Sequence, residues 1–370
     1  MTYSMLIRTC ALIVLTLLAT SGCSTVKQIN RISFVTAVGI DKTEAGVRVY
    51  ALAAVPGRFM SLAPGGAAGQ SESPNFMIEQ EGTSVSDALY RMKLKSARDL
   101  QFGHVKTIVF SDEAARGGLD EHLDLFMRRS EFQPTAWVAI SEGSAKKLLL
   151  QQPEVPESIS DLFVDIFSQV GSDSFEILPV YLYNLYGLTG ENAQNGYAPL
   201  LQTIQKDNHV GVQGTALFRQ DRMIGQLSPE ETLTLQMLQG QKLKPASFVL
   251  DKKTVYLMNY KVKRQVGEGK LLVQFSLGLE LDQSQGKPIG TLKDLRALEE
   301  ETGKLVQKQT AQLIKKLQSL KSDPVGFAAD YRKSHHLPRL DMEPWLDDLF
   351  PTLQPEVTVQ ATLLRRGTIQ

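Results

Sequence analysis

The earliest clear alternation of apolar and polar positions is Phe34-Val35-Thr36-Ala37-Val38-Gly39-Ile40-Asp41, broken by a turn around Lys42 to Gly46. Val47 to Val55 reads as its hairpin partner. Residues 61 to 75 carry Pro64-Gly65-Gly66-Ala67-Ala68-Gly69 and no periodicity, which predicts a surface loop. It is not a phosphate loop, because no Lys followed by Ser or Thr opens a helix after the glycines. Ser84 begins a helical pattern in which Ala88, Leu89, Met92 and Leu94 lead to Leu100 on one side. Val105 to Phe110 and Ala136 to Ile140 are buried-strand candidates, with helical spacing from Leu119 to Met127 between them. Strands separated by helices predict an α/β or α+β first domain. Residues 151 to 210 are mixed, and their Pro and Asn punctuation predicts helices followed by a connecting segment.

A second module is expected from near Val210. Gly214 to Arg219 and Arg222 to Leu227 flank a polar turn at Gln220-Asp221, which is hairpin logic. Ser228-Pro229-Glu230-Glu231 supplies a cap Ser, a first-turn Pro and an N3 Glu, the signature of a helix start. Val255 to Val266 and Leu271 to Leu281 follow as strands, the second alternating Val273, Phe275, Leu277 and Leu279 with Gln274, Ser276 and Gly278. Residues 291 to 320 form the strongest helical pattern, with Leu292, Leu295, Leu298, Leu305, Val306, Leu313, Leu317 and Leu320 along a stripe. The stripe lapses around Thr302 and Gln309, so the helix is expected to pack on a sheet and not to form a coiled coil. Val357, Val359, Ala361 and Leu363 predict a closing strand.

Composition narrows the function classes. The chain has 370 residues, 42% hydrophobic and 22% charged, enough to bury substantial cores in two or three domains. Lys plus Arg total 40 and Asp plus Glu total 40, so there is no electrostatic footprint for nucleic acid. Only Cys10 and Cys23 are present, which excludes a disulfide-built fold.

Residues 1 to 22 read as a signal peptide: Arg8, an apolar core from Ala11 to Ala19, then Thr20, Ser21 and Gly22, with cleavage expected between Gly22 and Cys23. The apolar stretch falls short of the roughly 20 residues needed to span a bilayer. Ala19-Thr20-Ser21-Gly22-Cys23 resembles the bacterial lipobox, with Thr20 where Leu is usual. Small residues before the thiol let the extended chain enter the processing enzymes, and the sulfur of Cys23 is the nucleophile. The expectation is an S-diacylglycerol group on Cys23 together with N-acylation, since two acyl chains give stable attachment where one is marginal.

Catalytic chemistry finds no positive signal. Asp120, His122 and Asp124 are spaced i, i+2 and i+4, which spreads them around a helix and favours a solvated face over a metal site. His335 and His336, beside Pro338 and Arg339, read as a surface loop. No nucleophile elbow, zinc-protease His pair or dinucleotide fingerprint occurs, so no catalytic residue, metal ligand or cofactor is assigned.

Several segments together resemble the Ger(x)C family, the lipoprotein C subunits of bacterial spore germinant receptors. They are the lipobox, Val38-Gly39-Ile40-Asp41-Lys42, Gly103 to Ser111, Leu123 to Ala136, Gly214-Thr215-Ala216-Leu217-Phe218, Leu227 to Thr232, Asp323-Pro324-Val325-Gly326-Phe327 with Tyr331-Arg332, Val357-Thr358-Val359 and Leu364-Arg365-Arg366-Gly367. Ser24-Thr25-Val26 after the Cys, and Ser130 between Arg129 and Glu131, depart from the family pattern. The resemblance implies a multi-domain, three-domain α+β fold with mixed sheets and flanking helices. It also implies a non-catalytic subunit partnered by integral membrane A-type and B-type subunits, lipid-tethered on the outer face of the inner spore membrane. The expected organisation is a signal peptide at 1–22, a lipidated tether at 23–33, and spore germination domains at 34–205 and 206–370. A lipid-anchored solute-binding protein of a transporter is the alternative. It would need two α/β lobes around a cleft, a poor match to consecutive strands followed by one long helix. A lipoprotein enzyme ranks third.

Overall fold

The computed structural model describes residue 3 and residues 31–54, 75–151, 158–170, 174–189, 194–204, 209–250, 253–267, 269–284 and 291–365. Cys23, the Gly22–Cys23 bond, and the loop expected at 61 to 75 up to residue 74 lie outside them. The first half contains β1 (Ile32–Thr43), β2 (Gly46–Ala54), β3 (Asn75–Gly82), α1 (Val85–Lys95), β4 (Asp99–Gln101), β5 (Thr107–Ser111), α2 (Asp112–Gly117), α3 (Asp120–Arg128), β6 (Trp137–Ser141), α4 (Ala145–Leu149), α5 (Ile159–Asp165), β7 (Val180–Tyr181), α6 (Leu182–Thr189) and β8 (Tyr197–Ile204). After these come β9 (His209–Arg219), β10 (Arg222–Leu227), α7 (Pro229–Gln239), β11 (Ser247–Leu250), β12 (Lys253–Gly267), β13 (Lys270–Ser284), α8 (Leu292–Ser319), α9 (Phe327–Ser334) and β14 (Gln354–Arg365). This is the expected α+β, multi-domain class, with mixed sheets, flanking helices and one long helix in the C-terminal half.

A ten-stranded mixed sheet has the order β10-β9-β8-β6-β5-β1-β2-β3, with β4 beside β1 and β7 beside β6. Both of its faces are covered. Ile108, Phe110, Val138 and Ile140 point into a core with Ala88, Leu89 and Met92 of α1 and Leu123 and Phe126 of α3. Val109 and Ala139 point the other way, against Leu148 and Leu149 of α4 and Phe163 of α5. Double burial explains why β5 and β6 read as continuous apolar runs in sequence.

The second sheet, β11-β12-β13-β14, is antiparallel except for the parallel β13–β14 pair. One face, carrying Val273, Phe275, Leu277 and Leu279, packs on Leu298, Val306, Leu313 and Leu317 of α8. The lapse in the α8 stripe is filled by small residues: Thr302 is buried and donates to the Leu298 carbonyl at 2.8 Å, and Gly303 is buried beside β14. Leu292, by contrast, is 68% exposed, so the first position of the expected stripe makes no core contact. Most of the helix's stability comes from this face, because an isolated helix gains little from propensity alone.

Local capping signals set where several helices begin. Ser84, Ser228 and Thr291 each accept a backbone N–H as N-caps, with a full capping box at Ser228 and at Thr291. The helix beginning at Ser84 stops at Lys95 and does not reach Leu100, which lies in β4; the Ser96 N–H returns to the Met92 carbonyl while Ser96 itself is extended. Strands β3, β4, β7, β8 and β11 lie outside the strands that the sequence pattern predicts. The sheet therefore runs on past residue 205, because β9 pairs with β8 and β10 with β9. The hairpin at 209–227 is hydrogen-bonded into the first sheet, while its Leu217 and Leu227 side chains enter the second core.

Gly214 makes that hairpin possible. Its φ is +127°, and a Cβ there would sit 1.9 Å from the Leu227 carbonyl oxygen. Gly214→Ala is expected to destabilise the protein by about 3 kcal/mol or more in urea unfolding. Gly143→Ala, at φ +77° with nothing within 4 Å, should cost only about 1 kcal/mol.

Candidate functional site

Two of the segments noted in the sequence mark places where elements meet. In Val38-Gly39-Ile40-Asp41, the Asp41 carboxylate accepts from the Ala145 N–H at 2.7 Å and the Ser144 hydroxyl at 2.6 Å, capping α4. The Tyr50 hydroxyl donates to Asp41 at 3.1 Å. Burial, and then the nearby Asp41 charge, push the Tyr50 phenol up to about 12. A Cβ at Gly39 would lie 2.7 Å from Leu149 Cδ1 and 3.3 Å from Ala145 Cβ, so the bare position lets α4 lie close on β1 and a side chain there would push Leu149 aside. This motif is a packing device.

The second place joins the two sheets. After α8 the chain runs through Ser322-Asp323-Pro324-Val325-Gly326, all buried, into α9. The Ser322 hydroxyl donates to the Phe218 carbonyl of β9 at 3.1 Å. Asp323 exchanges two bonds with Asn195: its N–H donates to the Asn195 side-chain oxygen at 2.7 Å, and the Asn195 N–H donates to its carbonyl at 3.0 Å. Its carboxylate has no solvent exposure and accepts four N–H groups, from Gly326 (2.9 Å), Phe327 (3.0 Å), Ala328 (2.7 Å) and the Trp345 indole (3.2 Å). Burial pushes the Asp323 carboxyl up to about 6, against the pull of these donors.

Charged pairs flank this node. Arg219 at the end of β9 makes a bidentate pair with Asp347, at 3.1 and 2.8 Å, and Lys321 reaches the same carboxylate at 2.8 Å. Hydrogen bonds from Arg219 and then Lys321 hold the Asp347 carboxyl down at about 2. On the opposite side, Arg264 of β12 donates to the Leu238 and Val325 carbonyls at 2.9 and 3.0 Å and pairs with Asp330 at 3.0 Å. A cleft of about 800 Å³ opens beside the node, lined by Asp120, Asn195, Asp221, Arg332, Arg339 and Met342 among others.

The acidic and histidine candidates separate. His122 is half-buried with its ring stacked on Phe110 at 6.1 Å, where burial lowers its basicity, instead of lying on a solvated face. Asp124 pairs with Arg128 at 2.8 Å, and Asp120 lies at the cleft. His335 stacks on Tyr331 at 4.0 Å, and His336 occupies a left-handed turn position. Among the described residues no three His, Cys, Asp or Glu side chains are grouped to hold a metal ion. Asp323 and Asp347, the most perturbed carboxylates at the junction, already spend their acceptor capacity on protein donors. The arrangement is suited to fixing one sheet against the other. Asn195 and Trp345, the partners of Asp323, and Phe218, the partner of Ser322, lie far from this loop in the sequence, and the Asp-Pro-x-Gly segment at 323–326 is the local feature that marks the node.

Asp323→Ala should cost about 3 kcal/mol or more, since four buried N–H groups lose their acceptor. The pH dependence has a definite sign. Between pH 4 and 6 the unfolded chain has released this proton while the folded chain keeps it, so the contribution of Asp323 to stability falls as pH rises through that window. The full drop is on the order of 3 kcal/mol. Urea unfolding of wild type and Asp323→Asn from pH 4 to pH 7 checks this, with the gap in stability narrowing as pH rises.

Comparison with known proteins agrees across both halves. The family model described as spore germination protein N-terminal domain matches residues 25–203, and the model described as spore germination B3/GerAC like, C-terminal, matches residues 213–367. Spore germination protein B3 of Bacillus subtilis (strain 168) is 25% identical over 346 residues, covering 86% of this chain and 87% of that protein. Putative spore germination protein YfkR of the same strain is 22% identical, covering 86% of each chain. Spore germination protein GerQC of Bacillus cereus is 21% identical, covering 94% of this chain and 96% of that one. The crystal structure of the GerBC protein is similar over 88% of this chain and 96% of that one, with a TM-score of 0.49 and 17% identity. With family models for both halves matched in order along its length, the chain belongs to the Ger(x)C family of spore germination proteins.

Proposed function

We propose that this chain is the non-catalytic, lipid-anchored C subunit of a nutrient germinant receptor, assembled with integral membrane A-type and B-type subunits on the outer face of the inner spore membrane. The observation that carries the reading is the ordered match of two spore germination family models to this one chain. The lipobox ending at Cys23 supplies the anchor: cleavage after Gly22 exposes Cys23, and its diacylglycerol and N-acyl groups hold the folded body at the bilayer. Among the described residues no helix is long and apolar enough to cross a membrane, so membrane attachment on this reading falls to Cys23. Confinement to the membrane plane raises the effective concentration of the subunit beside its partners without any new contact.

Crosslinking and purification from spore membranes should bring down large transmembrane proteins with this chain, and deleting its gene should block germination in one class of nutrient while sporulation proceeds. Normal germination in every nutrient would sink the proposal. Intact-mass measurement should find Cys23 lipidated, and Cys23→Ala should leave the unfolding transition unchanged while abolishing lipid processing. The cleft at the junction gives the solute-binding alternative one specific observation, and calorimetric titration with candidate nutrients separates the two: micromolar binding of a single small molecule would favour it.

A further inference from the structure

Where β1 begins decides which part of the fold lies nearest the bilayer. Nine positions separate Cys23 from Ile32, so on the anchor reading above the lipid is within about 30 Å of Ile32 even with the chain fully extended. The start of β1 pairs in parallel with β4, Ile32 beside Asp99 and Ser33 beside Leu100. α1 runs back along the sheet from the end of β3 and finishes at Lys95, four residues before Asp99. The last turn of α1 and the first residues of β1 therefore share one end of the first sheet.

That end combines exposed apolar side chains with positive charge. Val85, Ala88, Leu89 and Met92 hold α1 to the core, while Tyr90 and Leu94, one turn apart on the outward side, are 62% and 68% exposed. In the segments that meet at this end, Arg31, Lys93 and Lys95 are exposed and Arg98 is half-buried, with Arg91 paired to Asp87 on the same helix, against the carboxylates of Asp99 and Glu131. Lys93 and Arg129 both contact Glu131, and Lys95 bonds the neutral side chain of Gln80 at 2.7 Å, with no carboxylate paired to it among the described residues. A Tyr and a Leu ringed by Lys and Arg is the composition of an interfacial contact, with rings and aliphatic stems in the headgroup layer and cations on lipid phosphates.

We infer that the α1–β4 end of the first sheet, centred on Tyr90, Leu94 and Lys95, is a second membrane contact that recognises anionic lipid headgroups. A lipid on Cys23 fixes one point and leaves the body free to swing about its tether. A patch of matching charge within reach of the same bilayer fixes the pose as well. The sign of the patch selects an anionic surface, whose potential attracts each Lys or Arg brought within a Debye length.

The test uses the full, lipid-processed chain carrying Leu94→Trp, reconstituted in vesicles of phosphatidylcholine alone or mixed with phosphatidylglycerol, with brominated acyl chains as quencher. Trp345 is buried, and the unsubstituted chain gives the background of both native tryptophans. The expected result is quenching at position 94 in the anionic vesicles, reduced on the order of twofold or more in neutral vesicles and to a similar degree by Arg31→Glu combined with Lys95→Glu. If intact mass shows lipid on Cys23 and position 94 is unquenched in both compositions, or equally quenched in both, the inference is overturned and the anchor stands. A copurified protein that buries position 94 in the absence of vesicles also overturns it, assigning the patch to a protein partner. A bare thiol on Cys23, with position 94 still quenched on anionic vesicles and released by high salt, supports the surface contact while removing the anchor.

Discussion

Four N–H groups converge on the Asp323 carboxylate, and they reach it only if the loop after α8, the first turn of α9 and the turn bearing Trp345 arrive together. Taking a carboxylate fully out of water carries a desolvation cost that only a complete set of donors offsets. The geometry is therefore all or none: partial assembly leaves either a buried charge or buried donors without partners. Because the Asp323 backbone also exchanges two bonds with Asn195, just ahead of β8, this requirement extends to the relation between the two sheets.

The β9–β10 hairpin carries the same coupling in apolar form. Its backbone belongs to the ten-stranded sheet, its Leu217 and Leu227 side chains to the core of the other. Helix α7 lies between them, buried nearly all round: Thr232 shares a hydroxyl contact of 3.0 Å with Thr215 of β9, and Gln236 donates to the Phe175 and Ile177 carbonyls. A helix buried on every side has no amphipathic stripe, so the capping box at Ser228, not periodicity, announced it. The hairpin itself was legible, but its allegiance was not, since hydrophobic pattern reports which faces are buried and says nothing about which backbone supplies the hydrogen bonds.

Other misses have equally local causes. β3, with Glu79, Gln80 and Glu81, is a partly exposed edge strand whose pattern is too polar to announce itself. β8 contains Pro199, a residue that argues against a central strand; it is tolerated because pairing with β6 is confined to Leu200 and Leu201. Leu100 continued the α1 period by chance, and the stop at Ser96 left no Gly or Pro in the sequence to mark it. The lipobox ending at Cys23 is legible as a motif because lipid processing reads a contiguous segment. The Asp323 node was not, because its partners come from Asn195 to Trp345 along the chain and converge only in three dimensions.

On the proposed lipid anchoring at Cys23, these constraints bear on how the body can act. A body attached through a flexible segment transmits orientation only if its parts do not move against each other, and separate units joined by a linker would lose any pose set at one end. Here the β9–β10 hairpin, the Arg219–Asp347–Lys321 cluster and the Asp323 node tie the second sheet to the first through hydrogen bonds, ion pairs and shared core. A contact made near the start of β1 would therefore also fix the direction in which the long β12–β13 hairpin and α8 face. On the proposed anchoring, rigidity at the junction, more than any reactive group in the cleft, would let an anchor at Cys23 present a defined surface on the second sheet.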